Sequence, residues 1–333
     1  MLTTLFALAL GQESPETVAE AEPDGVTAED VAPAEPTGPT TVKVGVHIND
    51  IMAIDLRSHS FMADGYIWFR WSGDKDPASS MEFINPFELW GHMEEVNFEE
   101  PQELDDGSLY QVMRFQGGFS QKLPLYDYPL DQQVLGIVFE DSVDPVQGVI
   151  YESDGITINP MLTLPGFEIG KPALVIEAHR YETQFGDPRQ SEPETYSRAR
   201  IEVPIARPIL AYAVKLLLPI LCAAVSGVLM FMFRPSLVDT RTGIGITSLL
   251  TIVALQITSN EDLPEIGYLT LLDKLYVCAY LLVISGLLAV VRSTMLTEDG
   301  KEDAARRFDR RALLGLTLSF AAAAGYLINQ AAR

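Results

Sequence analysis

After Arg207 the chain turns apolar within a few residues, and that constrains everything else. Four hydrophobic runs follow, at residues 209–233, 240–259, 268–291 and 312–329. Each approaches or exceeds the ~20 residues that a helix rising ~1.5 Å per residue needs to cross a ~30 Å hydrocarbon core. Lipid offers no water to unpaired peptide groups, so such runs must be helical. The loops orient them. Arg234 and Arg241 lie between the first two runs, and Arg292, Lys301, Arg306, Arg307, Arg310 and Arg311 between the last two. Both sets fall on one side, which the positive-inside rule makes cytoplasmic, so the residues before the first run and the C-terminus face outward. Lys215, near the outer end of the first run, is placed to snorkel to the interface.

The second run is helical in period yet wrong for lipid. In DTRTGIGITSLLTIVALQITSNEDLP, residues 239–264, steps of three and four pick out Asp239, Gly243, Thr247, Leu250, Ala254, Ile257 and Glu261, which a 3.6-residue turn sets in one line. An acidic residue at each end, a hydroxyl between and a collar of Leu250, Ala254 and Ile257 is the pattern of a pore-lining helix, in which charged rings select ions and an apolar constriction gates by dewetting. The other reading is a buried membrane helix whose Thr-rich face bonds its neighbours. Gly243 and Gly245 carry no nucleotide signal, lacking a preceding strand and a third glycine.

Upstream the texture is different. Residues 1–11 hold a short apolar run without a basic flank, which reads as a clipped export signal. Residues 12–40 are rich in Glu, Ala, Pro, Asp and Thr without aromatics, the composition of a disordered acidic tail. From 41 to 206, short alternating runs broken by Gly, Pro, Asp and Asn predict an all-β sandwich. In YIWFRW, Ile67, Phe69 and Trp71 fall on one face and Tyr66, Trp68 and Arg70 on the other. Cys222 and Cys278 both lie in apolar runs and read as packing residues, leaving the outer domain without a disulfide. The four histidines show no metal-ligand spacing, and no nucleophile and base share a persuasive context, so no enzyme and no cofactor are expected. With 23 basic against 46 acidic residues the chain repels nucleic acid and draws cations. Glu94 and Glu95, with Asp141 and Asp144, are candidates for a modulating Ca²⁺, an ion that wants several carboxylate oxygens.

Three local motifs resemble the pentameric ligand-gated ion channels. Tyr128-Pro129-Leu130-Asp131-Gln132-Gln133 is similar to the family's signature loop, with Leu135 where the animal receptors carry a second half-cystine. Asp262-Leu263-Pro264 followed by Tyr268-Leu269-Thr270 resembles the link between the second and third helices, and closely resembles that of proton-gated and amine-gated bacterial members. Arg207, twelve residues before Pro219, stands where the family has a basic residue at the domain junction. The resemblance covers 41 to the C-terminus and points to a bacterial, disulfide-free relative of the Cys-loop receptors.

That resemblance implies an immunoglobulin-like extracellular sandwich at 41–206, followed at 207–333 by a four-helix transmembrane domain in the cell inner membrane. It implies a homopentamer that passes inorganic ions when a small agonist, protons or Ca²⁺ act on the outer domain. Asp239 would form a cytoplasmic acidic ring and Leu250 and Ile257 the gate. Cations are favoured, with anion selectivity kept open by Arg241, a position the family often turns away from the lumen. Ligand contacts implied are Phe139, Tyr181, Phe185 and Tyr196 on one side of a subunit interface, with Tyr66 and Trp68 across it. Two family positions lack their aromatic: Ser142 stands after the signature loop, and Val96-Asn97 follows Trp90. Asp55, Asp131, Arg207 and Pro264 are implied at the coupling between domains. A non-conducting outer sensor anchored by four helices is the competing class, and the polar second run argues against it.

Overall fold

The computed structural model describes residues 38–87, 91–186, 188, 192–261 and 263–331. The suspected signal, the tail up to residue 37, Trp90 and Asp262 lie outside the described residues. Among those described, eleven strands form two sheets and four membrane-length helices follow.

The strands are β1 (Thr40–Asp55), β2 (Ser60–Trp71), β3 (Met81–Phe83), β4 (Met93–Val96), β5 (Gln102–Glu103), β6 (Leu109–Ser120), β7 (Gln132–Asp141), β8 (Val149–Ile158), β9 (Glu168–Ile169), β10 (Ala173–Arg180) and β11 (Thr195–Ala206). One sheet runs β4-β6-β2-β1-β8 with β5 also on β6, and the other runs β10-β11-β7-β3 with β9 on β11. All the pairs are antiparallel except β1 with β8. Alternation sorts the faces: Ile67, Phe69 and Trp71 lie in the core with Val44, Phe115, Phe139 and Ile201, whereas Tyr66, Trp68 and Arg70 stay half-buried on the back of the sheet. Gly45 is required on that back face, because a Cβ there would collide with the Trp68 indole.

The helices span Ile209–Met232, Val238–Asn260, Leu271–Glu298 and Glu302–Ala331. The first contains a π turn, Ala213–Leu217, directly before Pro219, where the proline ring and its missing N–H interrupt the regular ladder. Its exposed Lys215 lies in that turn. The third starts at Leu271 rather than 268 because Thr270 and Asp273 close a capping box. The fourth starts at Glu302, well before 312, since its charged first turns continue the helix and bury Ala305 and Asp309. Hydropathy sees only the part of that helix made for lipid. Cys222 is exposed in the single chain rather than packed away, and Cys278 is half-buried.

Candidate functional site

All seven residues of the polar line on the second helix are exposed: Asp239, Gly243, Thr247, Leu250, Ala254, Ile257 and Glu261. Leu250 and Ile257 each expose 63% of their surface. The helix instead buries Arg241, Gly245, Ser248 and Ile252 against the other helices. The uncovered face is therefore the one with charges at both ends and hydroxyls and apolar side chains between. Beside it, between the first two helices, opens a hollow of about 700 Å³ lined by Cys222, Ser226, Asp239, Gly243, Thr247 and Ser248 among others. Arg241, two residues from Asp239, turns away and is fully buried. Its guanidinium donates to the Met230 carbonyl at 3.0 Å, Ser293 Oγ at 3.3 Å and Asp309 Oδ1 at 2.8 Å, and lies 5.8 Å from the Phe231 ring centre.

At the junction of the two domains, Arg207 is buried at the end of β11 and donates to Asp131 Oδ1 at 2.8 Å and to the Tyr212 hydroxyl at 3.0 Å. The rings of Tyr128, Phe167 and Tyr212 surround it at 5.0, 4.6 and 5.0 Å. Gln133 fixes the other Asp131 oxygen from 2.7 Å. Asp55 is not part of this cluster: it is exposed and caps its own turn, accepting from the backbone N–H groups of Arg57 and Ser58. Local hydrogen bonds of that kind, to residues two and three positions on, satisfy an Asp without a distant partner. They also hold its carboxyl below the usual value, the hydroxyl of Ser58 contributing most. The place expected for a second carboxylate is taken by aromatic rings.

The signature loop docks on the start of the third helix. Leu271 N–H donates to the Tyr126 carbonyl at 2.9 Å, Leu272 N–H to that of Tyr128 at 3.2 Å, and the Tyr268 hydroxyl accepts from Leu125 N–H at 3.0 Å. Tyr126 and Tyr268 stack at 4.0 Å. Leu125 and Tyr128 enter the apolar cluster of Ile220, Leu272 and Tyr276, so the β domain and the helices share one packed seam. Pro264, half-buried, lies in the link before it. The sequence places Tyr268 in the link motif but assigns no role to Phe167, Tyr212 or Tyr126.

Tyr181, Phe185 and Tyr196 come together at one edge of the second sheet. The Tyr181 ring lies 5.1 Å from Phe185 and 5.8 Å from Tyr196, both edge-on, with His179 at 4.8 Å. Behind them is a buried pair that the sequence did not reveal: Arg198 donates to Glu140 Oε2 at 2.9 Å and to the Tyr181 hydroxyl at 3.0 Å, while Tyr181 donates to Glu140 Oε1. Desolvation and a hydrogen bond to Glu194 push the Tyr196 hydroxyl up to about 12, and desolvation and Glu140 push Tyr181 up as well. Both phenols therefore stay protonated donors through the neutral range.

Phe139 does not join them. It points inward from β7, fully buried against Phe83 and Tyr151, because Leu135, Ile137 and Phe139 share the core face. Tyr66 and Trp68 lie on the other sheet, and no ring contact among the described residues links them to the Tyr181 group. Trp68 Nε1 donates to Asp154 Oδ2 at 2.9 Å, and Arg114 lies 5.9 Å from the Tyr66 ring centre.

The four acidic residues considered for Ca²⁺ are not brought together. Glu94 and Glu95 are exposed on β4 of the first sheet, paired with β6. Asp141 is buried at the end of β7, accepting from Ser80 Oγ and from Val143 and Asp144 N–H groups, and Asp144 pairs with Lys75. Turn chemistry and an ammonium thus use up the lone pairs a metal would need. No group of three or more metal-ligating side chains occurs among the described residues.

No known-family profile matches the chain. Among curated proteins it is similar over 207 residues, 24% identical, to the gamma-aminobutyric acid receptor subunit alpha-2 of Bos taurus, covering 59% of this chain and 43% of that subunit. The subunits of Rattus norvegicus and Homo sapiens are 23% identical over the same length. The chain is a distant homologue of these receptor subunits. It spans less than half the length of the curated relatives it matches. An N-terminal β-sandwich followed by four apolar, membrane-length helices fits a Cys-loop-receptor-like fold, and makes this a multi-pass membrane protein. Its relatives are receptors, not enzymes.

Proposed function

We propose that five copies of this chain form a ligand-gated channel that conducts cations across the cytoplasmic membrane of a bacterium, with the β domain on the periplasmic side. The observation that carries the reading is the second helix, which leaves Asp239, Thr247, Leu250, Ala254, Ile257 and Glu261 uncovered and buries the opposite stripe. A polar line facing lipid is costly, and identical helices around one axis remove it from lipid and give it water. Carboxylates at the mouth favour cations, and the Leu250 and Ile257 rings close the path by dewetting.

The agonist site lies between copies. Tyr181, Phe185 and Tyr196 of one chain face Tyr66 and Trp68 of the next, which explains why one chain holds the two groups on different sheets. The relatives are named as gamma-aminobutyric acid receptors, so small amino acids and amines are the first agonists to test, alongside protons. Signals pass to the helices through Arg207, Asp131 and the Tyr126–Tyr268 stack. Purified protein in planar bilayers under a KCl gradient should pass agonist- or pH-dependent current that reverses near the cation potential. A preparation with assembled rings but no current under any of these conditions would instead support a non-conducting sensor.

A further inference from the structure

The guanidinium of Arg241 is one of the few full charges inside the helical bundle, and its three hydrogen bonds each go to a different helix. Met230 is in the last turn of the first helix, Ser293 is in the third and Asp309 is in the charged opening of the fourth. Arg241 is fully buried and Asp309 is 4% exposed. Asp309 is the only carboxylate among the described residues that pairs with this cation. Its second oxygen, Oδ2, is buried without a hydrogen-bond partner among the described residues. Two positions along a helix are about 200° apart around its axis, so holding Arg241 inward holds Asp239 on the uncovered face.

We propose that Asp309 is a specificity-determining residue for ion conduction: by keeping the Arg241 charge inside the bundle, it leaves Asp239 as the charge that permeating ions meet. This rests on the channel reading above. A buried guanidinium deprived of its carboxylate is left as a costly uncompensated charge, and the exposed surface two residues along its own helix is that of Asp239. There a cation neutralises the carboxylate ring. The fourth helix, which contributes no residue to the uncovered line, would thereby set the sign of the ion that passes.

Reversal potentials under a KCl gradient test this on the full-length protein in bilayers. Asp309→Asn should lower the potassium-over-chloride permeability ratio about tenfold, equivalent to ~1.4 kcal/mol. The double substitution Arg241→Gln with Asp309→Asn strands no charge and should return the ratio to the parent's value. A merely structural loss would lower current without moving the reversal potential. If Asp309→Asn fails to assemble, the double variant carries the test alone. A parental ratio supports the proposal, and a clear rise in cation preference overturns it, because that would place the Arg241 charge in the conduction path of the parent. Asp309→Asn conducting with an unchanged ratio also overturns it. If the parent itself passes no ions, the channel reading fails, an outcome separate from either of these.

Discussion

Asp64, 5% exposed on β2, accepts both forks of Arg114 at 3.0 Å and the Asn49 amide at 2.7 Å. Burial raises its pKa, but those hydrogen bonds outweigh burial and hold the carboxyl below its usual value of 3.8. A depressed folded pKa stabilises the protein above the unfolded value, and that contribution is lost as pH falls through the folded one. Asp64→Asn should therefore lower the melting temperature at pH 7, and the gap to the parent should narrow as pH falls below 3.8 through the depressed folded pKa. Thermal melts of the two proteins across pH 2.5–7 check this; a gap that persists unchanged at the acid end would assign it to packing. Single residues were the least legible level in the sequence. Period-two alternation does put Phe139 in the core, yet a likeness to aromatic ligand positions suggested otherwise. Glu140, next along, was unreadable for a different reason, since Arg198, the partner that makes its burial tolerable, lies 58 residues away.

At the scale of the helices, two glycines on the second helix separate packing from exposure. A Cβ at Gly245 would run into the Leu287 side chain of the third helix, whereas one at Gly243 meets nothing within 4 Å. Gly245→Val should destabilise the bundle by about 1–3 kcal/mol through overpacking, seen as a lower melting temperature in detergent. Gly243→Val should melt like the parent and change conductance instead, because the added methyls face the uncovered side. If both variants melt alike, the rotation of this helix has been misassigned. A companion expectation concerns Leu250, 63% exposed midway along the same face. Leu250→Thr should raise the closed-state current, since a hydroxyl lets water wet a constriction that Leu keeps dry. Elements were the level at which the sequence spoke most clearly. Lipid permits so few backbone solutions that length and hydropathy fix the helices, and a period of 3.6 fixes which residues share a face. The ends were less legible. The fourth helix begins in EDAARRFDRR, whose charges look like a loop until Asp309 is seen bonded to Arg241.

For the whole molecule, the decisive contact is between the sandwich and the helices, and it was only half readable. Chain order put Arg207 at the boundary and the family resemblance implied Asp131 beside it; the ring cage around the guanidinium, and the absence of Asp55 from it, depend on tertiary packing that no local pattern encodes. Arg207 and Asp131 side chains are 5% and 3% exposed, so the pair is shielded from solvent screening, and removing one partner strands a buried charge at a cost of about 3–5 kcal/mol. A conformational equilibrium set by a few kcal/mol would be shifted severely by that loss. Arg207→Ala and Asp131→Ala should each impair ring assembly or displace the agonist or pH response. Together they should cost clearly less than the sum, because the second substitution removes the charge that the first left unpaired. Arg207→Lys should rescue only in part: an ammonium cannot reach Asp131 and the Tyr212 hydroxyl with the same planar fork, nor stack as well among Tyr128, Phe167 and Tyr212. Melting temperature, ring assembly and activation midpoint measured on the four proteins of the cycle provide the check. Additive losses in all three would mean that the two residues act independently, and the route from sandwich to helices would then pass through the docking of the signature loop on the third helix.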